Sequence, residues 1–335
     1  MKVVVAGLGA VGARAARQVL TPGASTELVV IDTDRARSDA VAASLGPPAA
    51  VGSWGSDALD AAAVVVLALP SGHAPMAAAA LAAGAHVVSI ADDLAEVRGL
   101  LALDEEARRR DRSVVVGAAF APGLGCLLAK HAAAGFDRVE EVHVAKSGTG
   151  GPACAEHHHA ARGADGPEWR DGVWTTRRGG SGRELAWFPD PIGSRDCYHA
   201  AAPDPLVLVP AFPGVTRVTA RVAASRRDRL TARLPMMRRP HPEGTLGALR
   251  VEVRGRRGQA TDVRVLGALD RPAVAAGTVA GVAADWAMRG LLARSGASGL
   301  AEMVEDPLPF LQELALRGVR AAAFGRPESL GAGSA

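Results

Sequence analysis

The first twelve residues constrain the fold of this chain more than any other stretch. An apolar run at residues 3–6 enters the turn Gly7-x-Gly9-x-x-Gly12, and an alanine-rich helical pattern follows at residues 13–20. Strand, glycine turn and helix in this order predict a dinucleotide-binding unit, in which a pyrophosphate lies on the positive end of the helix. The residues that we expect to contact the cofactor here are Gly7, Gly9, Ala10, Val11 and Gly12.

Each glycine of this turn has a separate predicted task. Gly7 would make the tight turn, and Gly9 would let the backbone approach the pyrophosphate. Gly12 would let the helix pack closely on the strand.

An acid at the end of the second predicted strand bears on the choice of cofactor. The predicted strand at residues 27–31 leads directly into Asp32, which lies twenty residues after Gly12. A carboxylate there accepts hydrogen bonds from an adenosine ribose and repels a 2′-phosphate, which favours NAD. Arg35 and Arg37 follow closely, and an arginine just after this strand can bind a 2′-phosphate, so NADP stays open as the alternative.

Composition narrows the class of protein. A chain of 335 residues has room for two domains and a sizeable core. The net charge of +3 is a weak argument for nucleic-acid binding, and no apolar run approaches the ~20 residues that span a bilayer. Cys126, Cys154 and Cys197 are widely spaced without a C-x-x-C pair, which indicates neither a disulfide framework nor a zinc ribbon. We expect a soluble, cytoplasmic protein with no nucleic-acid or membrane partner.

Apolar segments and helical patterns alternate through the first third of the chain. The predicted strands are residues 3–6, 28–31, 64–69, 86–90 and 114–116, and the predicted helices are residues 13–20, 35–45, 74–83 and 93–110. This alternation predicts an α/β fold, with a doubly wound parallel sheet in a Rossmann domain over residues 1–123.

The pattern changes after residue 123. A helix at residues 127–134 and a strand at residues 139–145 precede stretches of period two at residues 215–223, 229–235, 247–253 and 261–266. These predict an inserted α+β substrate domain, residues 124–271, with a mostly antiparallel sheet. Helical patterns at residues 272–293 and 308–323 predict C-terminal helices (residues 272–326) that return to the first domain, followed by a frayed tail at residues 327–335.

Three loops follow predicted strands of the first domain. Ligands of a doubly wound sheet bind outside the carboxyl ends of its strands, so we expect these loops to contact the nicotinamide half of the cofactor or the substrate. The residues in question are Leu69, Pro70, Ser71, His73, Ala91, Asp92, Pro122 and Gly123. Ordinary turn chemistry is the alternative explanation, since Pro, Gly, Ser and Asp are common in turns.

The densest group of reactive side chains lies between Lys146 and the three histidines at residues 157–159. Pro152 can open a helix, which would place Cys154 and His158 on one face because they are four residues apart. Histidine and lysine are suited to proton transfer near neutral pH, so Lys146, His158 and Cys154 are candidate catalytic residues. The alternatives are a solvated polar helix, a surface lysine and a cysteine that acts as a small buried hydrophobe.

The remaining expectations for this region concern the substrate and metals. His157 is a candidate substrate-binding residue, as are Arg183 and Arg195, because arginine binds a carboxylate in bidentate fashion. Consecutive histidines point in different directions, so we predict no metal site. The segment 217–257 contains twelve arginines but no aromatic residue, so a solvated sheet face is favoured over a nucleic-acid surface.

Three segments together resemble the saccharopine dehydrogenase-like oxidoreductases. They are the Gly7-x-Gly9-x-x-Gly12 turn, Val-Ser-Ile-Ala-Asp-Asp at residues 88–93 and Ala-Pro-Gly-Leu-Gly-Cys-Leu-Leu-Ala at residues 121–129. The segments at residues 182–184 and 187–193 and the alanine-rich helix after Arg271 are similar to that group too. The resemblance implies a Rossmann domain, an inserted α/β domain and returning C-terminal helices. It also implies a nicotinamide cofactor, chemistry at a C–N bond of amino-acid-like substrates, usually through an imine, and a homodimer.

The expected function is therefore that of a nicotinamide-dependent oxidoreductase with an amino-acid or imine substrate. Two alternatives stay open. One is a dehydrogenase of a hydroxyl or aldehyde substrate that uses the same cofactor, and the other is an inactive nucleotide-binding or scaffold protein.

Overall fold

A computed structural model describes residues 1–20, 27–237 and 239–323. Its strands are β1 Lys2–Ala6, β2 Glu27–Ile31, β3 Ala49–Val51, β4 Ala62–Leu67, β5 His86–Ser89, β6 Ser113–Val115, β7 Arg138–Ser147, β8 Gly166–Arg170, β9 Val173–Arg177, β10 Glu184–Trp187, β11 Ser194–His199, β12 Arg217–Ala223, β13 Gly247–Arg257, β14 Ala260–Asp270, β15 Gly296–Ser298 and β16 Ala321–Ala323. Its helices are α1 Gly12–Val19, α2 Arg35–Leu45, α3 Ser56–Leu59, α4 His73–Ala82, α5 Leu94–Leu101, α6 Asp104–Arg109, α7 Leu124–Ala133, α8 Pro152–Gly163, α9 Asp204–Leu208, α10 Arg226–Thr231, α11 Pro272–Met288, α12 Leu300–Met303 and α13 Pro307–Leu316.

The first sheet has seven parallel strands in the order β15-β6-β5-β4-β1-β2-β3. The apolar residues of its central strands β1 and β4 are almost fully buried, as expected of strands covered on both faces. This confirms the predicted doubly wound α/β fold. The sequence pattern missed β3 and β15, which are three-residue strands at the two edges of the sheet.

The second sheet is mostly antiparallel and has nine strands. Its main path runs β10-β11-β12-β7-β13-β14-β16; off this path, β8 pairs with β12, and β9 pairs with β8. The pair β7–β12 is parallel, and the 11-residue strands β13 and β14 form a long hairpin. The prediction of a mostly antiparallel second sheet is therefore confirmed, although strands β8 to β11 were not recognised in the glycine- and arginine-rich middle.

Three predicted elements differ from the structure. The strand predicted at residues 229–235 is wrong, because Ser225 and Asp228 form a capping box that starts helix α10 there. The helix predicted at residues 93–110 is divided into α5 and α6. The helix predicted at residues 308–323 ends with α13, and the chain then adds β16 to the second sheet.

Helix α11 returns to the first sheet, as the sequence predicted. It packs along α1 and over β4 and β5. Gly277 and Gly281 allow this close approach, because a Cβ at either position would overlap Arg14 or Gln18 of α1. The predicted tail, residues 327–335, lies outside the described residues. Among the residues that the structure describes, no helix is long and apolar enough to cross a bilayer.

Candidate functional site

A cavity of about 1200 Å³ opens at the carboxyl ends of β1, β2, β4 and β5. The first sheet contributes the glycine turn, Asp32 and the loops after β4 and β5 to its wall. The end of β7 and the first turns of α8 form the opposite wall. The volume exceeds the range of about 300–1,000 Å³ that is typical of small-molecule sites, so it suits a ligand as large as a dinucleotide.

The three glycines of the first turn meet different surroundings. Gly7 has a positive φ of 87°, and a Cβ there would overlap the carbonyl oxygen of Ala68. A Cβ on Gly12 would overlap the carbonyl oxygen of Gly7. Gly9 lines the cavity, and a Cβ on it would meet nothing within 4 Å. Gly7 and Gly12 therefore serve the fold, whereas the free space over Gly9 is available to a ligand.

The start of α1 fits an anionic group. Its N-cap residue, Val11, forms no side-chain capping hydrogen bond, so the positive end of the helix is left to the cavity. Gly9, Ala10 and Val11 all line that cavity. This combination is the arrangement in which a Rossmann turn holds a pyrophosphate.

Asp32 is tied to the glycine turn. Its carboxylate accepts hydrogen bonds from the backbone N–H of Leu8 at 2.7 Å and of Asp34 at 2.9 Å. Burial raises the pKa of this carboxyl, but the two backbone donors and Arg37 outweigh burial and hold the pKa below its ordinary value. Arg37 lies 3.4 Å from Asp32 and lines the cavity, whereas Arg35 pairs with Asp39 on the surface.

The three predicted loops divide into lining and supporting residues. Leu69, Pro70, Ser71 and Asp92 line the cavity. His73 is buried behind this wall, where its ring bonds the carbonyl oxygen of Leu69 at 2.9 Å and the hydroxyl of Ser89 at 2.8 Å.

The other loop residues of the prediction also lie behind the cavity wall. A Cβ on Gly123 would overlap the backbone of Ala119, and Pro122 packs against Gly117. Pro122 and Gly123 do not line the cavity, and Gly12 and Ala91 do not line it either. Their contribution is to hold the loops in place.

Asp92 and two histidines of α8 meet on the wall of the cavity. Nδ1 of His157 lies 2.9 Å from Oδ1 of Asp92, and Nε2 of His158 lies 3.8 Å from Oδ2. Burial raises the pKa of Asp92, but the hydrogen bond from His157 and the charges nearby bring it well below its ordinary value. The hydrogen bond to Asp92 raises the pKa of His157, whereas burial lowers the pKa of His158 to about 3. His158 is therefore neutral near pH 7.

Lys146 lies on the same wall and is only 4% exposed. Its Nζ donates a hydrogen bond of 3.0 Å to the carbonyl oxygen of Ala121. Asp204, at the start of α9, is 1% exposed, and neither of its carboxylate oxygens has a hydrogen-bond partner among the described residues. Burial raises the pKa of Asp204, although the charge of Lys146 opposes that shift.

Cys154 lies one turn before His158 on α8, as the sequence spacing predicted. The backbone N–H of Gly150 donates to its sulfur at 3.3 Å, and burial raises the pKa of the thiol. The ligand atoms of Asp92, Cys154 and His158 all lie within 4.8 Å of one another, close enough to surround a metal ion. His159 points away from this group, and its Nε2 bonds the carbonyl oxygen of Leu234 at 2.7 Å. The three consecutive histidines point in different directions, as predicted. His158 nevertheless lies with both Cys154 and Asp92, and the spacing along the sequence did not connect Asp92 with Cys154.

The predicted arginines lie elsewhere. Arg183 pairs with Asp196 at 3.0 Å, and Arg195 donates to the carbonyl oxygen of Ser194. Both line a second cavity, of about 1090 Å³, on the other side of α8, and neither lines the first. The structure therefore does not bring these two side chains together with Lys146 and His158.

Several residues of the site carried no recognised signal in the sequence. Arg14 lines the cavity and forms an ion pair with Glu243, which reaches over from the second sheet's loops. Trp54 also lines the cavity. Position in the first turn of α1 could have indicated Arg14, but nothing local indicates Glu243 or Asp204.

Comparisons with known proteins agree with this architecture. Residues 1–117 match the model of the Gfo/Idh/MocA oxidoreductase family, described as having an NAD-binding Rossmann fold. No curated protein sequence matches the chain significantly.

Solved structures share the fold over almost the whole chain. Saccharopine dehydrogenase (L-Glu forming) from Saccharomyces cerevisiae is 14% identical with a TM-score of 0.69, over 97% of this chain and 100% of that chain. Amine dehydrogenase from Mycobacterium smegmatis is 10% identical with a TM-score of 0.53, over 92% and 98%. DAP dehydrogenase from C. glutamicum, in complex with DAP, is 17% identical with a TM-score of 0.51, over 95% and 99%. The resemblance to the saccharopine dehydrogenase group is thus confirmed at the level of the fold.

Proposed function

We propose that this protein is a nicotinamide-dependent oxidoreductase that acts on the C–N bond of an amino-acid or imine substrate. One observation carries the proposal: a single cavity joins an open Rossmann glycine turn to a cluster of proton-bearing side chains from the second domain. A bound nicotinamide cofactor would supply or accept the hydride, and the protein would supply orientation and charge.

The cofactor half of the site favours NAD. Gly9 and the start of α1 would hold the pyrophosphate, and Asp32 would accept hydrogen bonds from the adenosine ribose. The carboxylate of Asp32 is the acidic group at the place where NADP carries its 2′-phosphate, and Arg37 is already engaged by Asp32 and Asp34. A free 2′-hydroxyl therefore suits this wall better than a phosphate.

The substrate half of the cavity would donate one proton to the substrate during reduction and accept one during oxidation. Reduction of an imine adds a hydride to carbon and a proton to nitrogen, so a proton donor is needed beside the nitrogen. Lys146 is the ammonium group on this wall, and His157 is the histidine whose charged form Asp92 favours. His158 is neutral near pH 7. It would therefore accept a hydrogen bond from the substrate and would not act as the proton donor.

The substrate class is supported by two lines of argument. The wall combines cationic and neutral nitrogen groups with one ionised carboxylate, Asp92, which suits a substrate that carries both an amine and a carboxylate. Three proteins with the same fold are dehydrogenases named for saccharopine, for DAP and for amines.

The test has two stages. Fluorescence titration with NADH and NADPH measures whether the cavity binds a nicotinamide cofactor and which one it prefers. A panel of 2-oxo acids with amines and amino acids, run beside simple aldehydes and alcohols, then follows oxidation or reduction of the cofactor. We expect turnover only with the amine-containing members.

Any other result of these two experiments would contradict a specific part of the proposal. Turnover with alcohols or aldehydes alone would replace the C–N substrate with a hydroxyl or aldehyde. Cofactor binding without turnover on any substrate would indicate an inactive nucleotide-binding protein. Binding of neither cofactor by folded protein would contradict the assignment of the glycine turn.

A further inference from the structure

Asp92, Cys154 and His158 come from two distant segments and form a compact set of ligand atoms. Asp92 follows β5 in the first domain, and the other two lie one turn apart on α8. Their ligand atoms all lie within 4.8 Å of one another, and Nε2 of His158 is 3.8 Å from Oδ2 of Asp92. A tetrahedral zinc ion with bonds of about 2.0–2.3 Å has ligand atoms about 3.3–3.8 Å apart. The three ligand atoms would have to move closer together by up to about 1.5 Å to reach that geometry.

His158 lacks the contacts that a buried imidazole needs. Its Nδ1 is buried with no hydrogen-bond partner in the part of the chain that the structure describes, and Nε2 is too far from Asp92 for a hydrogen bond. A buried polar group without a partner costs free energy, so such groups call for an explanation. An ion bound at Nε2 would give that nitrogen a partner, and Nδ1 would carry the proton of the ring.

Neighbouring groups orient two of the three ligands. His157 bonds Oδ1 of Asp92 at 2.9 Å, which leaves Oδ2 turned towards His158. The backbone N–H of Gly150 donates to Sγ of Cys154 at 3.3 Å. Hydrogen bonds of this kind to carboxylate and sulfur ligands are typical of the surroundings of protein metal ions.

We propose that Asp92, Cys154 and His158 bind one divalent transition-metal ion, with zinc as the best match, and leave a fourth position open to the cavity. One oxygen, one sulfur and one nitrogen ligand suit the borderline-soft zinc ion and do not suit magnesium or calcium. A carboxylate and a thiolate together balance the charge of the ion. Three protein ligands with an open position is the pattern of a zinc ion that contacts substrate.

Lys146 is the cation that opposes this site. Its Nζ is directed to the carbonyl oxygen of Ala121, and its charge still reaches Asp92 and Cys154. The metal affinity is therefore lower than that of a site without the lysine. The proposal does not rest on the proposed function, because metal binding is measured on the protein itself. With an ion bound at Nε2, the ion would face the substrate in place of His158 as a hydrogen-bond acceptor.

The first experiment titrates chelator-treated full-length protein with Co²⁺ and follows its absorption spectrum. We expect one equivalent to produce a thiolate-to-cobalt charge-transfer band and the visible bands of tetrahedral cobalt, and Zn²⁺ to displace both. Cys154→Ser should abolish the charge-transfer band, and His158→Ala and Asp92→Asn should abolish stoichiometric binding. His157→Ala, which removes an orienting contact, should weaken binding about 10- to 100-fold.

Two matched controls separate this site from general metal binding. His159 belongs to the same helix but bonds Leu234 on its other side, and Cys197 is buried in the second sheet. His159→Ala and Cys197→Ala should keep the full cobalt spectrum. A spectrum without a charge-transfer band in the wild type, or an unchanged one in Cys154→Ser, would overturn the proposal.

A second measurement needs no variant and so covers the case in which a substitution prevents folding. Mass spectrometry would map alkylation of Cys154 in the native protein with and without Zn²⁺. Bound zinc should protect Cys154 strongly, whereas equal labelling in both samples would contradict the site. Cys126 and Cys197 are buried and serve as internal references.

Discussion

The two halves of the cavity are built in different ways. The cofactor half is formed by backbone: a left-handed Gly7, close packing at Gly12 and open space over Gly9, all within one short turn. The substrate half is formed by side chains from separate segments, with Asp92 after β5, Lys146 at the end of β7 and two histidines on α8. A local motif can specify the first half alone, whereas the second exists only after the two sheets have come together.

The electrostatics of the two halves differ as well. In the cofactor half, Asp32 is satisfied by backbone donors and its charge is favoured. In the substrate half, pKa values move in opposite directions within one cluster: that of His157 is raised and that of His158 is lowered. Ionisable groups with pKa values driven apart by their environments are a common property of chemically active sites.

The largest expected effect comes from filling the space over Gly9. Gly9→Val should abolish NADH binding, because the new side chain occupies the space of the pyrophosphate, while the melting temperature stays close to that of the wild type. Gly55→Val is the matched control, since a Cβ on Gly55 also meets nothing within 4 Å and Gly55 does not line the cavity. Fluorescence titration and thermal melts measure both. Retained NADH binding in Gly9→Val would refute the cofactor site.

Side chains of the substrate half should affect turnover and leave cofactor binding intact. Lys146→Met should lower kcat about 10²- to 10⁴-fold, the range typical of a lost acid–base group. His158→Ala should lower kcat less, because it removes a hydrogen-bond acceptor, and the Kd for NADH should change little in both variants. Arg183→Ala serves as the comparison, because Arg183 lies in the second cavity and should leave kcat and KM near wild type. Steady-state kinetics on the substrate found by the panel decides this. Wild-type kcat in both cavity variants would remove them from the mechanism.

A smaller change should separate NAD from NADP. In Asp32→Ser the repulsive carboxylate is lost and Arg37 is released from its 3.4 Å contact. We expect the ratio of NADH to NADPH affinity to fall about tenfold or more, because arginine beside this strand can bind a 2′-phosphate. Parallel titrations with the two cofactors measure the ratio. Asp32→Ser/Arg37→Ala should not gain NADPH affinity, and a gain there would assign the effect to another group.

The smallest effect concerns stability around the buried Asp204. Burial raises its folded-state pKa above the unfolded value, so the carboxyl costs stability increasingly as pH rises through that pKa. Asp204→Asn should therefore raise the melting temperature at about pH 7.5, and the gain should shrink as the pH falls and vanish below about pH 3, where the wild-type carboxyl is protonated in both states. Thermal melts at both pH values test this. A lower melting temperature of the variant at the higher pH would show that attraction to Lys146 outweighs burial.

The sequence predicted the cofactor half more completely than the substrate half. Gly7, Gly9, Gly12 and Asp32 lie within one strand–helix–strand unit, where spacing along the chain fixes spacing in space. For α8, the same reasoning placed Cys154 and His158 on one face. It could not pair them with Asp92, because β5 and α8 are separated by about sixty residues and meet only through the packing of two domains.

The two predicted arginines lie apart from the first cavity. Arg183 and Arg195 are predicted from their chemistry, but the order of strands in the second sheet places Arg183 just before β10 and Arg195 on β11, on the far side of α8. Chemistry alone could not decide on which side of that helix an arginine would lie.

The amino-acid sequence by itself determined the parallel first sheet, the glycine turn, the acid at the end of β2 and the returning helix α11. These features follow from apolar periodicity and from glycine spacing, which act over a few residues. Tertiary structure alone decided that Asp92, Lys146, Cys154 and His158 line one cavity, and that Asp204 is buried nearby with no hydrogen-bond partner among the described residues. The physical reason is that burial and long-range charge, which set the pKa values and contacts of these groups, depend on which distant segments pack together.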